Sequence, residues 1–157
     1  MTTANVVFSG SADIVKPIHD EAVVASGQTI KPGMLMLKSS GEWIAHNSDG
    51  QGGPYRICDV NFIKQGGVTD TQTVGDTAFG LYPRPGEYYN CVLAASQTIT
   101  KDEALTSNGS GALKSAAVDG TEEVLAYADE DLTTTDATGR LRVRIATASY
   151  NIDTTGA

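Results

Sequence analysis

The chain has 157 residues, enough for one domain with a buried core, and 40% of them are hydrophobic against 19% charged. A formal net charge of −8 excludes a protein that works by neutralising nucleic-acid phosphates and disfavours an anionic membrane surface. The 17 glycines, with abundant Thr, Ser, Ala and Asn, suit short strands joined by tight turns rather than a helical bundle.

In chain order, residues 1–20 read as a weakly apolar N-terminal arm. "NVVF" and "ADIVKPI" are its candidate strands, separated by Ser9-Gly10-Ser11 and stopped by Pro17. Such an arm either adds a strand to another chain's sheet edge or forms the first strand of its own barrel. The start has no basic segment followed by an apolar one, so the expectation is a chain made in the cytoplasm without a signal peptide.

Residues 21–148 read as a barrel-like domain. Pro32-Gly33 and Ser39-Ser40-Gly41 are turns around the apolar segment Met34 to Leu37, and Trp43 starts the return strand. A loop-rich insert spans about 47–86. It contains a strand at Arg56 to Ile63 and another at Ala78 to Tyr82, closed by Pro83 and Pro85. Lys101 to Leu105 and Ala112 to Val118 are the only stretches with any helical character. Glu122 to Ala128 reads as a strand or one helical turn. Arg140 to Ile145 is the clearest alternating segment, with Leu141, Val143 and Ile145 on one face and Arg140, Arg142 and Arg144 on the other. Residues 149–157 form a polar C-terminal tail. The predicted class is mainly β, a small β-barrel or sandwich with long loops.

The most informative feature is an internal repeat. "VASGQTIKPGMLMLKSSGEW" (24–43) lies over "LAASQTITKDEALTSNGSGAL" (93–113), matching Gln28-Thr29-Ile30 to Gln97-Thr98-Ile99. Both copies turn one apolar residue inward after two polar ones and then reverse the chain. Two such units point to a fold with two similar halves, or to two loops packed about a pseudo-axis.

No catalytic constellation emerges. There is no nucleophile elbow, phosphate-binding loop or dinucleotide fingerprint. His19 beside Asp20 and Glu21 is read as a solvated corner, because adjacent residues of an extended segment point to opposite faces. His46 is read as a loop residue. The acids Glu122, Glu123, Asp129, Glu130 and Asp131 form a solvated face, and neither "NSDGQGG" nor "DEDLTTTD" has EF-hand spacing. No metal or cofactor is expected. Cys58 and Cys91 sit in apolar runs and read as buried small hydrophobes, with a disulfide between them left open by the sequence. Tyr88, Tyr89 and the arginine row are candidate contact residues, the row needing acids from the chain itself or from a partner.

"ASGQTIKPGMLMLKSSGEW" and the later "EEVLAYADEDLT" with "TDATGRLRVRIA" resemble, in that order, segments of head decoration (structural cement) proteins of tailed bacteriophages. The resemblance spans residues 22–146. It implies a non-enzymatic β-rich protein on the outer capsid surface of the virion, clamping major capsid protein subunits. It also implies a homo-oligomer, a trimer or a dimer, and an arm that pairs with a capsid strand. Asn5, Val6, Val7, Phe8, Ile14 and Val15 are then the expected capsid contacts, by position. The insert at 47–86 departs from the pattern and allows a protruding subdomain. Alternatives are a minor capsid or tail component, a β-clip ligand-binding domain, and a carbohydrate-binding module, the last disfavoured by 6% aromatic content.

Overall fold

A computed structural model describes residues 7–10, 18–136 and 139–153. All regular structure among them is β. A short strand, β1 (Phe8–Gly10), precedes two successive sets. The first is β2 (His19–Val23), β3 (Thr29–Ile30), β4 (Leu35–Ser39), β5 (Glu42–Ala45), β6 (Arg56–Cys58), β7 (Gln72–Thr73) and β8 (Thr77–Leu81). The second is β9 (Tyr88–Val92), β10 (Thr98–Ile99), β11 (Ala104–Ser107), β12 (Leu113–Ser115), β13 (Asp119–Ala128), β14 (Leu132–Thr133) and β15 (Arg140–Asp153).

The two sets are wound identically. The first sheet has the order β2-β8-β6-β4-β5, and the larger one β1-β9-β15-β13-β11-β12. Without β1, the second order repeats the first strand by strand. The small sheets β3-β7 and β10-β14 correspond in the same way. The repeat read over 24–43 and 93–113 is therefore the best-preserved part of a duplication that spans the whole fold.

Its local physics is the same in both halves. Gly27 (φ 75°) and Ser96 (φ 57°) turn the chain in the left-handed region. Gln28 Oε1 then accepts the backbone N–H of Ala45 at 3.0 Å, and Gln97 Oε1 that of Ser115 at 3.2 Å. Each glutamine thus ties its turn to the return strand of the following hairpin. Ile30 and Ile99, two residues on, are fully buried. The segments at 101–105 and 112–118 contribute β11 and β12 rather than helix. Cross-strand pairing of Leu105 with Ser115 and Ser107 with Leu113 overrides their helix propensity. Glu122 to Ala128 lies wholly within β13.

The loop-rich stretch from 47 to 86 is built into the first sheet. It supplies β6 and β8, the strands between β2 and β4, so it is not an appendage. At the other end β15 runs on to Asp153. There it pairs with the start of β13, Asp119 opposite Asp153 and Val124 opposite Tyr150.

Alternation places two apolar layers. Val24, Ile30, Met36, Trp43, Cys58 and Ala78 fill the interior of the first half, with Trp43 Nε1 donating to the Ala78 carbonyl at 3.0 Å. Leu35, Ile57 and Leu81 are also buried, but they join a larger cluster with second-half residues that include Tyr89, Leu105, Leu125 and Ile145. The halves are thus fused through a continuous core.

Candidate interaction surface

Each group able to do acid–base or nucleophilic chemistry was followed to its partners. His46 is fully buried, with Nε2 2.7 Å from the Gly52 carbonyl and Nδ1 2.8 Å from Ser107 Oγ. The carbonyl can only accept, so Nε2 carries the proton and the Ser107 hydroxyl donates to Nδ1. Ser107 Oγ in turn accepts the Gly109 N–H at 3.1 Å. This arrangement is a clasp joining the loop after β5 to the second half, with no access for a substrate. His46 is therefore a junction residue rather than a plain loop residue. His19 is exposed and 3.1 Å from Asp59, and its ring lies edge-on to Phe62 at 6.0 Å. Among the described residues, no three His, Cys, Asp or Glu side chains converge as a metal would require.

Cys58 and Cys91 are free thiols, both buried. Burial pushes Cys91 up from 9.0 to about 12, and raises Cys58 further, with the nearby Asp59 charge adding to the effect. Neither is a nucleophile near neutral pH. Tyr89 is likewise buried, and its hydroxyl donates to Glu87 at 2.6 Å. Burial, then that bond, raises its phenol. Glu87 also pairs with Arg84 at 2.7 Å.

A cleft of about 290 Å³ opens at the meeting of the two halves, lined by Pro54, Tyr55, Arg56, Tyr82, Pro83 and Leu125 among others. The Arg56 guanidinium stacks 3.3 Å from the Tyr82 ring centre. No carboxylate, imidazole or thiol lines this cleft, and burial holds the Tyr55 phenol in its protonated form. It has an arginine and apolar walls, and no pair of groups to pass a proton between them.

The residues singled out from the sequence fall in different places. Val7 is buried in the shared core, and β1 pairs with β9, Phe8 opposite Tyr89. Residues 7–10 thus form an edge strand of their own chain. Asn5, Val6, Ile14 and Val15 lie outside the described residues. Tyr89 packs inward, so its ring is not a surface contact; Tyr88, next to it, is half-buried. The arginine row divides three ways. Arg140 reaches into the first half and donates to the carbonyls of Pro32 and Val68. Arg142 pairs with Asp129 at 2.5 Å, so an acid of the chain itself serves it. Arg144 is exposed, 5.9 Å from the Tyr127 ring.

The remaining candidates are surfaces. Ile18, Phe62 and Ile63 are exposed at 62%, 55% and 69%. Ile18 precedes His19, whose ring meets Phe62 edge-on, and Phe62 is anchored on Phe79 with ring centres 4.5 Å apart. Such apolar exposure, in a turn and beside the edge strand β2, is a docking feature rather than a catalytic one. The reading of Arg56 to Ile63 as one strand hid it: the strand ends at Cys58, and Phe62 and Ile63 stand in the turn that follows.

No family model matches the sequence, and no curated protein matches it significantly. Among solved structures, the fold is similar to the head fiber gp8.5 N base of bacteriophage phi29. The TM-score is 0.53 at 12% identity, over 85% of this chain and 99% of that one. At that identity the likeness is one of fold.

Proposed function

We propose that this protein is a structural component of a tailed-phage head, mounted on the outer capsid surface as a decoration or cement protein. The observation that carries the reading is the fold likeness to a phage head-fiber base, which takes in nearly all of that chain. The site chemistry is in keeping with it: the His46 imidazole and the Glu87 carboxylate are tied into internal bonds, both thiols are buried, and apolar and charged side chains face outward. An acidic protein of this kind suits a position away from packaged DNA.

In this reading the partner is the major capsid protein. Ile18, Phe62 and Ile63 form one docking patch, and Asn5, Val6, Ile14 and Val15 belong to an arm that pairs with a capsid strand. Tight binding is not needed at each site, because many copies share the load.

The test is co-sedimentation. The purified full chain, mixed with expanded shells of the major capsid protein of the same phage, should pellet with them at a fixed stoichiometry. Phe62→Asp should abolish pelleting while leaving the circular dichroism spectrum unchanged. A chain that stays in the supernatant with both unexpanded and expanded shells rules the reading out.

A further inference from the structure

One strand position is filled in the second half and open in the first. β1 lies on the outer edge of β9, where the Val7 carbonyl accepts the Asn90 N–H at 2.6 Å. The strand that corresponds to β9 is β2, because Glu21 faces Phe79 across the first sheet as Asn90 faces Arg142 across the second. Glu21 thus stands in the place of Asn90, and His19 in the place of Tyr88. β2, unlike β9, is the last strand of its sheet.

Register shows which groups of β2 face outward. Tyr82 N–H donates to the Ile18 carbonyl and Val24 N–H to the Asp76 carbonyl, both at 2.9 Å. The even-numbered residues from 18 to 24 bond to β8, so the N–H and C=O of His19 and Glu21 point away from the sheet. Among the described residues nothing pairs with them. β5 reaches this edge at Val24, which bridges to Trp43, and leaves His19 and Glu21 exposed. β2 pairs with β8 without a bulge and contains neither proline nor lysine, the usual guards of an open edge. Glu21 and Phe79 share the face on which Phe62 packs, so exposed apolar surface lies beside the open main chain.

Most charges at this edge are already paired. His19 meets Asp59 at 3.1 Å, Asp20 meets Lys38 at 2.6 Å, and Lys64, two residues past Phe62, meets Asp76. Glu21, and Glu42 next to Trp43, are exposed and have no ion-pair partner among the described residues. Two copies of β2 in full antiparallel overlap would set Glu21 against Glu21, so the edge disfavours a second copy and favours a segment carrying Lys or Arg. We propose that an extended segment of the major capsid protein adds to β2 as a further strand. It bonds to the main chain of His19 and Glu21, sets a Lys or Arg opposite Glu21, and lays an apolar side chain against Phe62. β1 on β9 is the form of this contact within the molecule. The inference rests on the proposed function and gives its docking patch a main-chain geometry, in which this protein receives the strand.

Pelleting on expanded shells, combined with hydrogen exchange of the full chain, tests it. Glu21→Pro removes an outward N–H and no bond to β8, and its ring blocks the edge, so affinity for shells should fall about tenfold. Glu21→Lys leaves the main chain intact and should weaken binding about threefold by setting like charges opposite each other. It also serves should Glu21→Pro unfold the protein, which thermal melts will show. In wild type the Glu21 amide should exchange about tenfold more slowly on shells than in the free chain. If wild type pellets but this exchange is unchanged, or both variants bind as wild type does, the proposal is overturned and the proposed function stands. If wild type pellets with no shell, both fall. Slow exchange at Glu21 in the free chain, strengthening with protein concentration, would put a second copy on the edge and also overturns the proposal.

Discussion

The two halves share a strand order but spend their outward faces differently. In the first half the outward positions of β4, β6 and β8 are Leu35, Ile57 and Leu81, buried against the second half. In the second half the same positions are Ala104, Tyr127 and Arg144, and the arginine row of β15 takes the place of Thr77, Phe79 and Leu81 in β8. The fold dictates only the inward positions. The outward ones follow whatever each face meets, which is how two copies of one architecture diverge to the point where half their length no longer looks related.

The interiors differ as well, and this gives the largest expected effect. The first half closes around one tryptophan, Trp43, where the second has Leu113. Trp43→Ala should cost about 3–5 kcal/mol and Leu113→Ala about 2–4 kcal/mol in chemical denaturation, from lost burial plus the cavity left behind. Equal costs would mean that the second half's larger cluster does not relax around the deletion.

Next come two substitutions at one position of the repeat that should have opposite signs. Gly33 (φ 86°) and Asp102 (φ 68°) both adopt the left-handed conformation. A Cβ at Gly33 would also lie 2.7 Å from the Asn90 carbonyl oxygen. Gly33→Ala should therefore destabilise by about 2–3 kcal/mol. Asp102→Gly should be neutral or stabilising, within about 0.5 kcal/mol, because only its backbone strain is relieved. The comparison of unfolding midpoints checks both.

The duplication was legible where turn chemistry constrains both copies alike. Gln28-Thr29-Ile30 and Gln97-Thr98-Ile99 each need a glutamine to satisfy a strand N–H and an isoleucine to fill the interior, so identity survives there. It was illegible in β8 and β15, where Leu81 meets the shared core and Phe79 meets Phe62, while Arg142 and Arg144 face outward. The alternation of "RLRVRI" was read correctly as a strand, but nothing local says that Arg140 leaves the row to bond carbonyls of the first half. The role of His46 was hidden for a similar reason: its partners, Gly52 and Ser107, come from a loop and a distant strand.

The thiols sharpen the comparison further, since Cys91 stands where the first half has Ala22, and Cys58 where the second has Ala128. In the unfolded chain a thiol loses its proton near pH 9.0, whereas folded Cys91 keeps it to about 12. In that window the folded state binds more protons, so stability falls as pH rises, by about 1.4 kcal/mol per pH unit for this thiol. Cys91→Ala, copying the other half, should flatten that decline in urea titrations between pH 9 and 11. Neither thiol should react with a disulfide reagent until the protein unfolds. The smallest effects are expected at the matched glutamines. Gln28→Ala and Gln97→Ala should each cost about 1 kcal/mol, equal within error, and add in the double variant, because they serve separate hairpins.

The position of Val7 to Gly10 bears on the order in which the molecule is made. This stretch leaves the ribosome well before its hydrogen-bonding partners, Tyr88 to Asn90, which are synthesised some eighty residues later. The first half has every strand of its own sheet by Leu81 and can close early, while its leading segment must wait. When that segment docks, with Val7 entering the shared core, it ties the stretch ahead of the first half to a strand of the late half. Residues 7–10 are therefore the latch that closes the two halves together.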